Sequence, residues 1–269
     1  MIELKYDKTK TILLAEKDDL TSKQFIALAD VLNAQYNDIA ISLDKALFAL
    51  YSKSLLRFLL TPPDIRQRCY EHIGWVFEKL SITKQLIPQY RHRFTTLYGP
   101  ASDFDNLRLS EFHHSEHAYH KIIHSETMED ELEALNELVA VLYREPKPNY
   151  DVQRNSDGDC RKPFKPADTD YYIKKVARWP LVVKQAILIW YDSCREDLRD
   201  SYPEAFKSSG TETTGDYYEG LFGLIRSLSG NKYGTFQDTE NLFVHNAFME
   251  IVASIEEEEK LKRMYGKQQ

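Results

Sequence analysis

The run from Trp179 to Leu198, WPLVVKQAILIWYDSCREDL, decides the fold class. Pro180 suits the first helical position, where its missing N–H costs nothing. Val183, Ile187, Trp190, Cys194 and Leu198 then recur at helical spacing and form one apolar stripe. Val182, Ala186, Ile189 and Tyr191 widen that stripe until little more than Lys184, Gln185, Asp192 and Arg195 is left for water. A helix apolar on most of its circumference is packed on several sides, so this one reads as the centre of a helical bundle.

The rest of the chain repeats the helical period. Thr21 and Gln24 form a capping box ahead of Phe25, Leu28, Ala29 and Leu32. Residues 39–60 are apolar all round and end at Thr61-Pro62-Pro63, after which Asp64 is a cap for a helix carrying Ile65, Cys69, Ile73, Val76 and Leu80. Residues 81–109, with Pro88, Gly99 and Pro100, read as irregular or partly helical. Ser110 opens a helix to about His124, with Phe112, Tyr119 and Ile123 facing inward. Thr127 opens another, whose Leu132, Leu135, Leu138, Val139 and Leu142 face inward up to Arg144. Asp168 caps a short helix to Ala177, residues 216–228 are helical, Gly230 to Gly234 is a turn, and Asp238 caps a last helix with Val244, Phe248, Ile251 and Ile255 on its buried side. Only Ile2 to Tyr6 and Thr11 to Ala15 alternate as strands would, flanking a turn. The expectation is an all-α, multi-helix bundle of about eight helices with a small N-terminal β-hairpin. The expected division is 1–144, a polar connection at 145–167, and 168–269, with one continuous domain as the alternative.

The totals narrow the function classes. A net charge of −7 argues against a broad nucleic-acid surface, which needs clustered Lys and Arg. No stretch offers the ~20 apolar residues a membrane helix requires, and the first residues lack a signal-peptide pattern, so a cytoplasmic location is expected. Cys69, Cys160 and Cys194 are odd in number and far apart, which disfavours a disulfide framework and fits a reducing compartment.

The stretch most suggestive of chemistry is residues 113–124, HHSEHAYHKIIH. His113, His117, His120 and His124 lie on one helical stripe, and imidazoles one turn apart can share a tetrahedral metal ion. His113, Glu116 and His117 also match the inverted zinc-protease pattern HxxEH, in which the glutamate activates water. That chemistry needs a third ligand from elsewhere, and Glu196 and Glu204 are the only suggestions. A half-exposed polar border is the plainer reading. Four clustered imidazoles would also gain charge together below neutrality and make a pH-sensitive surface. Residues 155–159, NSDGD, hint at a calcium loop, but the register puts Phe164 where a bidentate glutamate is needed. There is no GxGxxG, P-loop or GxSxG, and Cys69 and Cys194 sit on apolar stripes. No cofactor and no catalytic residue is expected.

A set of motifs in the second half carries a resemblance. Leu138 to Arg144 (LVAVLYR) is followed by Gly158-Asp159 with Arg161, Pro163 and Phe164. Pro180, Lys184, Ala186 and Trp190-Tyr191-x-x-Cys194-Arg195 come next, then Pro203-x-x-Phe206 and Ser229-Gly230-x-Lys232-Tyr233-Gly234-Thr235. In this order they resemble a family of helical proteins encoded in tail-morphogenesis gene clusters of Bacteroidetes-type phages and prophages, near the tape-measure gene. The resemblance spans about Asn106 to Ile255 and contains no catalytic motif. It implies a tail assembly chaperone with protein partners, either the tape-measure protein or tail-tube subunits. A structural component kept in the virion is the second reading, and a zinc-dependent hydrolase on residues 113–117 the third. Long polar connections are seldom idle, so residues 149–166 and 201–216 are the expected contact surfaces.

Overall fold

Leu181–Ser201 is one continuous helix, and Val183, Ile187, Trp190, Cys194 and Leu198 are all buried along it. Pro180 stands just ahead of it, its carbonyl accepting the Val183 N–H at 3.1 Å. Lys184 departs from the sequence reading. It is buried, and desolvation lowers its pKa. Enough apolar surface surrounds this helix to cover a lysine stem as well as the stripe.

The computed structural model describes residues 2–7, 10–34, 39–51, 58–78, 80–148, 150, 158–207, 229 and 234–265. Over these the chain is mostly helical, with a two-stranded antiparallel hairpin at the N-terminus as expected and a second one later. The expected helix at 216–228 lies outside the described residues. No helix among the described residues is long and apolar enough to cross a membrane. Two compact units emerge: Met1–Ile87 with Trp179–Ser193, and Pro88–Arg178 with Cys194–Gln269. The described residues of the expected polar connection, 145–148, 150 and 158–167, lie within the second unit.

In the first unit, β1 (Ile2–Asp7) pairs with β2 (Lys10–Leu14), Ile2 opposite Leu14. The Ala15 N–H donates to the Leu50 carbonyl at 3.2 Å, tying the hairpin to a helix end. Three helices follow: α1 (Ser22–Asn33), α2 (Ile39–Leu50) and α3 (Pro63–Tyr70). The Thr21 and Gln24 capping box is complete. Asp64 is not the cap of α3. Pro62 holds that position, and Pro63 supplies the first turn with a fixed φ and no N–H to satisfy. Leu14, Phe25, Leu28, Leu47, Leu50, Cys69, Ile73 and Val76 are buried, as are Val183, Ile187 and Trp190. The Trp190 Nε1–H reaches the Thr83 carbonyl at 2.9 Å, so the large ring is buried without orphaning its donor.

In the second unit, β3 (Gln89–His92) and β4 (Thr95–Tyr98) form a hairpin inside the stretch read as irregular. Then come α4 (Leu109–Ile123), α5 (Met128–Leu142) and α6 (Thr169–Val176). α7 (Leu181–Ser201) begins in the first unit and ends in the second. α8 (Pro203–Lys207), α9 (Phe236–Glu240) and α10 (Val244–Tyr265) complete the described elements. Asp238 does not cap the long last helix. It closes a capping box with Thr235 on α9, and α10 starts separately at Val244. Phe112 meets Phe104 and Phe248 edge to face, at 6.0 and 5.8 Å between centroids, and so joins α4 to α10.

Gly99 follows β4 because nothing larger fits there. A Cβ would lie 2.7 Å from Cζ of the buried Tyr143 ring. Gly99→Ala is therefore expected to destabilise the protein by about 1–3 kcal/mol through overpacking, measured as a lower urea midpoint. An unchanged midpoint would mean that the Tyr143 ring is free to move aside.

Candidate functional site

α4 carries every histidine of the 113–124 run except His124, which follows it at the C-cap. Its polar residues do not form a simple solvated border. Glu111, His113, Ser115 and Glu116 are all buried, so the helix puts ionisable groups into the interior of the second unit.

Glu111 is the deepest of them. Its Oε1 accepts from Arg144 Nη2 at 2.6 Å, and its Oε2 is 3.0 Å from Arg161 Nη2. Asp159 takes the other side of Arg161, at 2.8 Å to Nε and 2.9 Å to Nη2. The guanidinium protons left over go to backbone carbonyls: Arg161 to Leu142 at 2.9 Å and Asn106 at 3.3 Å, and Arg144 to Lys162 at 2.8 Å and to Val141. Two acids and two arginines thus neutralise one another with their donors satisfied, the condition under which burying charge is tolerable. Burial works to lower the Arg161 pKa, but Glu111 and Asp159 outweigh it and hold the group protonated. Arg144 is shifted the other way, lowered by burial against the pull of Glu111.

Backbone pairing explains how these residues converge. Tyr98 and Arg144 exchange N–H···O bonds of 2.8 and 3.0 Å, so the chain leaving α5 runs antiparallel to β4. On its other side, Lys147 N–H bonds the Cys160 carbonyl at 2.7 Å and Lys162 N–H the Glu145 carbonyl at 2.8 Å. Arg144 and Arg161 are thereby held on neighbouring extended segments. Glu145 gathers a second group at the surface: Lys162 at 2.6 Å, the Tyr171 hydroxyl at 2.9 Å, and Lys175. Against the effect of burial, these donors pull the Glu145 pKa down to about 2. The described part of the expected loop surface at 149–166 is consequently pinned by Asp159 and Arg161, and the calcium reading fails at Asp159, which is spent on Arg161. The expected surface at 201–216 falls on α8 and on residues outside the described set.

Glu116 accepts from Arg195 Nε with both oxygens at 2.9 Å, and that guanidinium also covers the Tyr119 ring at 4.7 Å. A carboxylate so engaged would have to release Arg195 before it could take a proton from water. His113 is buried, its ring 5.5 Å from that of His114, which in turn lies 5.1 Å from Phe164. Burial, with smaller contributions from His114 and His117, pushes the His113 pKa down to about 4. Burial lowers His114 and His117 as well. The rings of His120 and His124 pack at 4.1 Å. Among the described residues no group of three or more His, Cys, Asp or Glu is arranged to hold a metal ion, and neither Glu196 nor Glu204 joins His113 and His117 in one.

Beyond the buried part of the stripe, an open groove of about 510 Å³ runs between the end of α4 and the start of α5. His120, His124, Glu126, Asp130, Glu133 and Glu137 line it, with Lys121 paired to Glu137 at 2.7 Å. Ile123, read from the sequence as inward, is 54% exposed, and Leu132 also faces solvent, because the core ends before these turns do.

No family model, curated protein or solved structure matches this chain. Sequence reasoning missed the paired arginines. The available signal was Arg144 directly after the apolar LVAVLY run, a position that would otherwise leave a charge in the core.

Removing one arm of the cluster strands a buried charge. Arg161→Met is expected to cost about 3–5 kcal/mol, read from denaturant unfolding; a loss below about 1 kcal/mol would show that the cluster is not closed in solution. His113 is neutral when folded down to about pH 4, whereas its ordinary value is 6.5, so the unfolded chain binds the proton first on acidification. Stability should fall by about 2–3 kcal/mol between pH 6.5 and pH 4 from this group. His113→Gln should flatten that slope, and an equal slope in both proteins would assign it elsewhere.

Proposed function

We propose that this chain is a non-enzymatic tail assembly chaperone of a phage or prophage, acting in the bacterial cytoplasm by reversible binding of the tape-measure protein or of tail-tube subunits. The motif resemblance supplies the setting. Its residues Tyr143, Arg144, Asp159, Arg161, Trp190 and Cys194 are buried, so they serve the framework, and the work of binding falls to other surfaces.

The observation that carries the reading is α10. Val244, Ala247, Phe248 and Ile251 bury the first turns of this helix. From Glu256 to Met264 every residue whose side chain is described is exposed, and Leu261 and Met264 stand 47% and 60% open to solvent. A helix that runs on past its own core, with apolar side chains on a charged surface, is suited to lie against a partner's helix. Methionine adapts to varied apolar stripes, which suits a partner that is long and largely helical.

Co-expression tests this directly. The tape-measure protein is expected to co-purify with the chain and to become more soluble beside it. Leu261→Asp with Met264→Asp should reduce recovery of the complex about tenfold while leaving the melting temperature of the chaperone unchanged. If the tape-measure and tube proteins neither bind nor gain solubility, the proposal is wrong. Stoichiometric recovery of the chain from purified particles by mass spectrometry would replace it with the structural-component reading.

A further inference from the structure

We propose that copies of this chain associate with one another, the β3–β4 hairpin of one seating Phe94 in the acidic groove between α4 and α5 of another. The inference does not rest on the chaperone reading. It starts from a turn built against local preference. Two-residue hairpin turns favour Asn-Gly and similar pairs, because they require left-handed backbone. Here the pair is Arg93-Phe94 between the partnered residues His92 and Thr95. Arg93 sits at φ 53°, a strained value for a residue with a Cβ, and Phe94 is 99% exposed. Arg91 steadies the turn, its Nε donating to the Arg93 carbonyl at 3.4 Å. Strain kept at a hairpin tip that presents a bare aromatic ring points to a role for that tip in binding.

The tip is basic as well as aromatic. Arg91 and Arg93 are exposed and make no ion pair among the described residues. An aromatic anchor flanked by arginine is the composition that dominates binding energy at protein interfaces. Its complement is a groove that joins aromatic or apolar surface to acids, and the chain carries one. The groove has Ala134 and the packed rings of His120 and His124 for the phenyl ring. Glu126 and Glu133 line it and make no ion pair among the described residues. Glu126, Asp130, Glu133 and Glu137 line the groove against one lysine, Lys121, which is paired with Glu137, so the remaining acids attract guanidinium groups. The volume of about 510 Å³ accommodates one aromatic side chain with room for its arginine neighbours.

Finger and groove are different surfaces. Two copies can exchange fingers reciprocally, or successive copies can join head to tail. Either arrangement satisfies the proposal. Sedimentation velocity on the full chain at about 150 mM salt, across low to high micromolar concentration, reads the outcome. Wild type is expected to form a reversible dimer or larger species. Phe94→Ser, Arg91→Glu with Arg93→Glu, and Glu126→Lys with Glu133→Lys should each weaken self-association about tenfold or more. Mixing the two charge-reversed proteins at equal concentration should restore association, because each supplies the half that the other lacks. The Glu→Lys variant keeps a basic finger and the Arg→Glu variant keeps an acidic groove, so the mixture should form heterodimers that neither forms alone. A wild-type chain that stays monomeric throughout overturns the proposal. So does self-association unaffected by all three variants, with matched melting curves confirming that each is folded.

Discussion

The second unit depends on keeping two arginines charged where there is no water. Glu111 stands between Arg144 and Arg161, Asp159 closes the far side, and four carbonyls take up donors that the acids do not. Such a cluster is not a large net source of stability, because desolvation offsets most of the attraction. What it provides is selectivity among packings. Any arrangement that misplaces α4, the exit of α5 or residues 159–162 leaves a bare charge, and that penalty of about 3–5 kcal/mol is a large share of the ~5–15 kcal/mol margin by which a domain is folded. The same geometry explains Gly99. β4 must lie against the α5 exit for Tyr98 and Arg144 to pair, and the Tyr143 ring then occupies the space a Cβ would need.

How legible this was depended on the period of the pattern. The 181–201 helix follows from its apolar stripe alone, and the capping box at Thr21 and Gln24 was readable as a pair of residues three apart. The hairpin at 89–98 was not readable, since Tyr90, Arg91, His92 and Arg93 alternate too weakly to mark an inner face, and the turn lacks glycine. Lys184 and Ile123 were misplaced for one shared reason. A helical wheel ranks faces, but it does not say where along the helix the neighbouring element stops. The capping assignments failed at Asp64 because the helix begins one residue earlier, at Pro63, and at Asp238 because a separate short helix precedes the long one.

The histidines show the same limit on the chemical side. Spacing places His113, Glu116 and His117 on one helical face, which is all that a motif can specify. Packing decides the rest: Glu116 belongs to Arg195, and His113 is held neutral in the interior. The end of the run, His120 and His124, opens onto a groove whose other lining residues are mostly acids. Exposed apolar residues stand at the β3–β4 tip (Phe94), on the overhanging turns of α4 and α5 (Ile123, Met128, Leu132) and on the distal part of α10 (Leu261, Met264), and others, Leu59 and Leu60 among them, lie elsewhere.

The most direct measurement is of the arginine side chains themselves. In a ¹⁵N-resolved NMR spectrum, the Nε–H protons of Arg144 and Arg161 should exchange with solvent only on opening of the unit, orders of magnitude more slowly than that of the exposed Arg263. Exchange of the buried pair as fast as Arg263 would contradict the account, since it would mean that water reaches the cluster and that nothing inside the second unit is organised around it.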